Sequence, residues 1–211
     1  MQNYTAIIGD IKNSREIDNW SDVFSQLKAV LSEINQRFAD DILIPFEPTI
    51  GDEFQGALKS PAKAYDVYLL VHTNMTVHIY LGIGVGEIEN PQQGHRGGLR
   101  GTAFYRAREA LNKCKNMEGR MRLSLKEKLY PLQEDLNLFQ RSLETIESDW
   151  TDRQTELVNF IRHNPDITHK IVAANFNIAR PTVTKHLIAA HAEMVLAGDK
   201  FMAEKLKAIS S

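Results

Sequence analysis

A single cysteine, Cys114, excludes an internal disulfide, and no Cys/His cluster has zinc-finger spacing. Reducing surroundings fit, and a structural zinc does not. Also missing is any apolar run of membrane-spanning length, and Met1-Gln2-Asn3-Tyr4 lacks the basic start and long apolar segment of a signal peptide. The expected location is the cytoplasm, with no membrane partner. Strong charge of either sign is absent too, the net charge being −2 over 211 residues. The carboxylates lie mostly before Trp150, an offset too small to name a partner. What is present, 43% hydrophobic and 25% charged residues, is the balance of a globular chain long enough for one ordinary domain and a small one.

The periodicity orders the first part. Tyr4 to Gly9 is apolar on both faces, as a central strand is, with Asp10 at its exit. From Trp20 to Phe38, Val23, Phe24, Leu27, Val30, Leu31 and Ile34 recur at helical steps. Ile42 to Thr49 reads as an edge strand because of Pro45 and Pro48, and Glu53 to Leu58 returns after a Gly51-Asp52 turn. Ser60-Pro61 opens a second helix, and Thr76 to Val85 is a fourth strand. The order predicts an α+β, ferredoxin-like βαββαβ palm with helices on one face, in which strands one and three are central neighbours. Asp10, Asp52 and Glu53 then converge at one end of the sheet. Oxygen-only ligands that close together suit Mg²⁺ or Mn²⁺ carrying phosphate. The plainer alternative is a capping aspartate and ordinary hairpin punctuation.

Asp10-Ile11 and Ile50-Gly51-Asp52-Glu53-Phe54 resemble the metal motifs of class III nucleotide cyclases and GGDEF-type diguanylate cyclases. Leu81 to Gly86 is similar to their next strand, and Gly101 to Arg108 to the helix that follows. That resemblance covers about residues 4–115. It implies a metal held by Asp10, Ile11, Asp52 and Glu53. With the C-terminal part included, the whole chain resembles the SatD family, which brings an architecture and no established activity. Three positions depart from the cyclases. Pro48 stands where a Lys or Glu before the Gly-Asp pair helps select the base, Tyr105 replaces the Asn that orients the ribose, and Ile50 replaces the first Gly of GGDEF. Binding of a phosphorylated ligand is therefore expected ahead of cyclisation.

Asn90 to Gly101 is a Gly-rich loop in which Arg96 and Arg100 are candidate phosphate ligands, with Tyr105 just beyond; the alternative is a solvated surface loop. After a short strand, Met121 to Leu125, the residues Leu132, Leu136, Phe139, Leu143 and Ile146 mark a bridging or dimerisation helix. The domains are expected at 1–125 and 150–211, joined by a helical linker at 126–149.

Ile171 to Leu187 resembles a helix-turn-helix, with Ala173 at the crossing, Ile178 in the turn and Pro181 opening the second helix. Val183 and Leu187 point inward, which leaves Arg180, Thr182, Thr184 and Lys185 to reach DNA, on a face that Arg162 and Lys170 would share. An earlier helix, Gln154 to Arg162, completes an all-α unit, Gly198 marks a helix stop, and Phe201 to Ile209 is a tail for pairing between subunits. The combined expectation is a dimeric regulator whose palm binds Mg²⁺ or Mn²⁺ with a nucleotide and whose second domain binds DNA. Alternatives are a nucleotidyl cyclase or nucleotidyltransferase, and a protein-interaction role for the helix-turn-helix.

Overall fold

The computed structural model describes residues 3–49, 51–92 and 99–209. Its elements run β1 (Tyr4–Ile11), α1 (Trp20–Arg37), β2 (Ile42–Pro48), β3 (Glu53–Leu58), α2 (Ala64–Asn74), β4 (Ile79–Gly86), α3 (Thr102–Asn116) and β5 (Met121–Ser124). Five α-helices follow: α4 (Tyr130–Ser148), α5 (Asp152–His163), α6 (His169–Asn175), α7 (Arg180–Ala189) and α8 (Ala192–Ile209). The chain divides into two compact units, residues 1–140 with 202–211, and residues 141–201.

In the first unit the sheet order is β2-β3-β1-β4-β5, antiparallel throughout except for the parallel β4–β5 pair. This is the expected βαββαβ palm with β1 and β3 as neighbours, but helices lie on both faces where one was expected, because α3 packs on Ala6 and Ile8. It carries one addition, since α3 crosses over to bring β5 in beside β4. Every residue of β1 from Thr5 to Ile11 is buried, because helices cover both faces. Alternation sends Ala6 and Ile8 into a cluster with Ala103, Phe104, Ala107 and Leu111 of α3, while Ile7 lies on the opposite face. Gly82 and Gly84 allow α3 so close, since a Cβ on Gly84 would lie 2.2 Å from the backbone of Ala103 and Ala107.

Both sheet edges are covered by amide side chains rather than left open to further pairing. Asn35 of α1 donates to the Phe46 carbonyl at 2.9 Å and accepts from its N–H at 2.8 Å, on the bulged edge strand β2. Asn137 of α4 does the same for Leu123 of β5, at 3.0 and 2.8 Å, and Gln133 accepts from the Leu125 N–H. The next polar residue along α4, Gln140, bonds the hydroxyls of Tyr65 and Tyr68. The buried stripe of α4 is thus mixed, with Leu136 and Leu143 joined by Gln133, Asn137, Gln140, Glu144 and Glu147. The expected all-apolar stripe misses this, since Leu132, Phe139 and Ile146 are only half-buried.

The second unit packs Leu157, Val158, Val172, Ala173, Val183 and Leu187 into one core, with Ile178 partly buried against it. Thr151 opens α5 through a reciprocal capping box with Gln154, and Trp150 Nε1 donates to the Ala190 carbonyl at 2.8 Å. One expectation fails here. Gly198 does not stop a helix; it lies inside α8, buried, where the chain passes so near Leu143 that a Cβ would sit 2.7 Å from its Cδ2. Residues Phe201 to Ile209 are the end of that same helix, with Met202 and Leu206 buried and Phe201 39% exposed.

Candidate functional site

Asp10 pairs in register with Glu53 across β1 and β3, and the Ile11 N–H donates to the Asp52 carbonyl at 3.2 Å. The topology therefore delivers the three carboxylates to one corner, but their side chains part company. Asp10 Oδ2 lies 2.7 Å from Lys115 Nζ of α3. Asp52 accepts from Ser14 Oγ. Glu53 is turned away into a bidentate pair with Arg108, at 2.5 and 2.8 Å. Asp10, Ile11 and Asp52 line a hollow of about 410 Å³ with Lys12, Ser14 and Lys115 among its other walls.

The electrostatics of the corner follow from crowding. Burial raises the Asp10 carboxyl above its ordinary 3.8, Lys115 opposes that rise, and the charges of Asp52 and Glu53 add to it. Arg108 is held protonated above its ordinary value by its hydrogen bonds to Glu53. Among the described residues no three His, Cys, Asp or Glu side chains form a ready-made metal cluster. The donor set that remains, Asp10 and Asp52 with the Ile11 backbone beside them, fits a hard divalent ion that takes its other ligands from phosphate and water. Glu53 lies outside that set as long as Arg108 holds it.

Arg100 and Tyr105 are elsewhere. Arg100 is exposed and its carbonyl accepts from the Glu89 N–H, while Tyr105 is 68% exposed on the first turn of α3. Lys115 lies ten positions further along that helix, about 15 Å at 1.5 Å per residue. Neither Arg100 nor Tyr105 lines the hollow. Arg96 falls outside the described residues.

In the second unit Arg180, Thr182 and Lys185 are exposed on α7. Thr184 is half-buried and its hydroxyl is already engaged, lying 3.1 Å from His169 Nδ1 and donating to the Arg180 carbonyl at 3.3 Å. Arg162 cannot contribute to a nucleic-acid face either. Its side chain is 4% exposed, bonded to Glu147 and, at 2.9 Å, to Asp199. Burial works against its charge, but the two carboxylates outweigh burial and hold it protonated above the ordinary range.

The SatD family profile matches residues 4–206. The chain belongs to the SatD family. No curated protein matches it. A solved structure of a microbial GGDEF domain with bis-(3,5)-cyclic di-GMP aligns with 59% of this SatD-family chain and 78% of its own, at 16% identity and TM-score 0.41. The palm assignment rests on the strand order above, independently of that alignment. No helix among the described residues is long and apolar enough to cross a membrane.

Sequence reading of this SatD-family chain missed Lys115, Arg108 and Ser14. A signal existed for the two cations: they are seven apart on α3, two helical turns, and so share a face. What was not legible is that this face meets the end of β1.

The raised Asp10 gives a pH prediction. Folded Asp10 takes up a proton at a higher pH than unfolded Asp10 does. Its contribution to stability therefore grows as pH falls from neutral through its raised value toward 3.8, and is constant below. The melting temperature of the wild type relative to Asp10→Asn should rise across that window. A difference that stays flat with pH would contradict the assignment.

Proposed function

We propose that this SatD-family protein is a ligand-responsive DNA-binding regulator whose palm binds a nucleotide or related phosphorylated molecule together with Mg²⁺ or Mn²⁺. The observation that carries the first half is the hollow in which Asp10 and Asp52 face Lys115, Lys12 and Ser14. Its walls carry three carboxylates, Asp10, Glu16 and Asp52, and three cations, Lys12, Arg15 and Lys115, a mixture that suits a bound metal–phosphate pair, the anions taking the cation and the cations the phosphate oxygens. In this reading Asp10 and Asp52 hold the metal. Lys115, paired with Asp10, would be placed to bind phosphate beside a metal held there. The metal supplies charge neutralisation between the carboxylates and the phosphate. Binding is favoured over turnover, since Pro48 has no side-chain hydrogen-bonding group and Tyr105 stands far along α3 from the corner.

The test is a thermal shift with inorganic tripolyphosphate and Mn²⁺. At a hundredfold excess over the dissociation constant, binding stabilises by about 2.7 kcal/mol, and Asp52→Asn should lose most of that shift while keeping its fold. An unchanged shift in Asp52→Asn would remove Asp52 from the site.

The second half is supported by the three-helix core and by the exposed Arg180, Thr182 and Lys185 on α7. A unit this weakly basic binds usefully only as a dimer on two half-sites about one helical turn apart. Arg180→Ala and Lys185→Ala are each expected to weaken binding to every duplex and to lower the salt slope by about one counterion, whereas Thr182→Ala should relax sequence preference. If no duplex shows salt-dependent binding, with or without nucleotide, the helix-turn-helix is a protein-interaction module.

A further inference from the structure

The hollow at the carboxylate corner does not end at Asp52. Ser14, Arg15 and Asp52 also line a second hollow of about 370 Å³, whose other walls are Gly51 and Trp20. Trp20 is the first residue of α1 and is half-buried, its ring stacked on Phe24 with centroids 5.8 Å apart and planes 25° apart. Lys28 Nζ sits over the Phe24 ring, 4.5 Å from its centroid. The other tryptophan of the chain serves structure, its indole N–H bonded to the Ala190 carbonyl. The Trp20 indole has no hydrogen-bond partner among the described residues. At the turn Gly51 has φ +85°, and among the described residues no heavy atom beyond its chain neighbours lies within 4 Å of its Cβ position.

Two contiguous hollows thus present, in sequence, a carboxylate-and-lysine corner, a guanidinium and an aromatic face. That order matches the order of groups in a nucleotide, with charged phosphates at one end and a planar base at the other. Aromatic faces hold bases by stacking, with tolerance for base identity, and an adjacent arginine adds a cation–π contribution. We propose that the Trp20 hollow is a nucleobase seat, so that the palm's ligand is a nucleotide and not a simple phosphate ester. The inference rests on the phosphate reading of the neighbouring corner and adds to it the class of ligand. Trp20 stacks on the base, and Arg15, which lines both hollows, spans them.

The experiment is a pair of calorimetric titrations of the full chain, one with GTP and one with inorganic tripolyphosphate, each with Mn²⁺. Trp20→Ala should weaken GTP binding by roughly five- to a hundred-fold, the range that one stacked base supplies, and leave tripolyphosphate binding unchanged. Trp20→Phe, which keeps an aromatic face, should retain most of the GTP affinity. Fluorescence of the wild type minus that of Trp20→Phe isolates the Trp20 signal, which GTP should quench and tripolyphosphate should not. GTP binding that is equal in wild type and Trp20→Ala, with tripolyphosphate still bound, overturns the base seat and spares the phosphate corner. Equal loss of both ligands in Trp20→Ala also overturns it, by making Trp20 a support of the fold. Failure of tripolyphosphate to bind the wild type removes the corner and the seat together.

Discussion

Arg162→Met is expected to destabilise the helix-turn-helix unit by about 3–5 kcal/mol, because it leaves the buried carboxylates of Glu147 and Asp199 without the cation that bonds both. The guanidinium ties α5 to α4 through Glu147 and to α8 through Asp199, and it also lies 5.6 Å from the centroid of Trp150. A loss of that size exceeds what any surface ion pair of the chain supplies, since exposed pairs such as Arg153–Glu156 are worth under about 1 kcal/mol. The cost belongs to the charges left behind, not to the side chain removed. Replacing all three members together by Met and Leu should therefore restore most of the stability, as buried ion networks exchanged for apolar packing usually do. Urea unfolding followed by Trp150 fluorescence in a Trp20→Phe background measures both. A single-variant loss below about 1 kcal/mol would show that water reaches the network.

Gly84→Ala should cost about 3 kcal/mol or more, through a different mechanism. Its Cβ would meet the Ala103 carbonyl and the Ala107 N–H at 2.2 Å, and backbone atoms of a helix cannot turn aside as a side chain can. Helix α3 must then lift off β4. Because α3 also carries Lys115 and Arg108, the partners of Asp10 and Glu53, nucleotide binding should fall along with stability. Gly51→Ala is the contrasting case. There the added methyl meets open space, and only the left-handed backbone resists, at about 1–2 kcal/mol. Similar melting temperatures for the two variants would contradict this account of the β4 glycines.

The palm was legible because its signals are local: a run apolar on both faces for β1, helical steps for α1, prolines for the edge strand, Gly51-Asp52 for the turn. Topology then placed Asp10 beside Asp52 without any distance in hand. What remained hidden depends on partners remote in sequence. Nothing in the α4 segment reveals that Asn137 and Gln133 will meet the free edge of β5, since hydrophobic periodicity is blind to polar side chains that pair with backbone. Arg162 read as a surface cation because its two carboxylates lie 15 and 37 residues away. Gly198 read as punctuation because only a neighbouring helix makes a mid-helix glycine useful. Thr184 is a different case, because His169, which meets its hydroxyl, lies 15 residues away and nothing local marks that contact.

If Asp10 and Asp52 hold a divalent metal on which phosphate binding depends, calorimetric titration of GTP into the full chain should give saturable heat with Mn²⁺ and little or none with chelator. Asp10→Asn and Asp52→Asn should each lose the Mn²⁺-dependent signal with melting still cooperative. GTP binding of equal affinity with and without Mn²⁺, or unchanged in both variants, would contradict that role of the two aspartates.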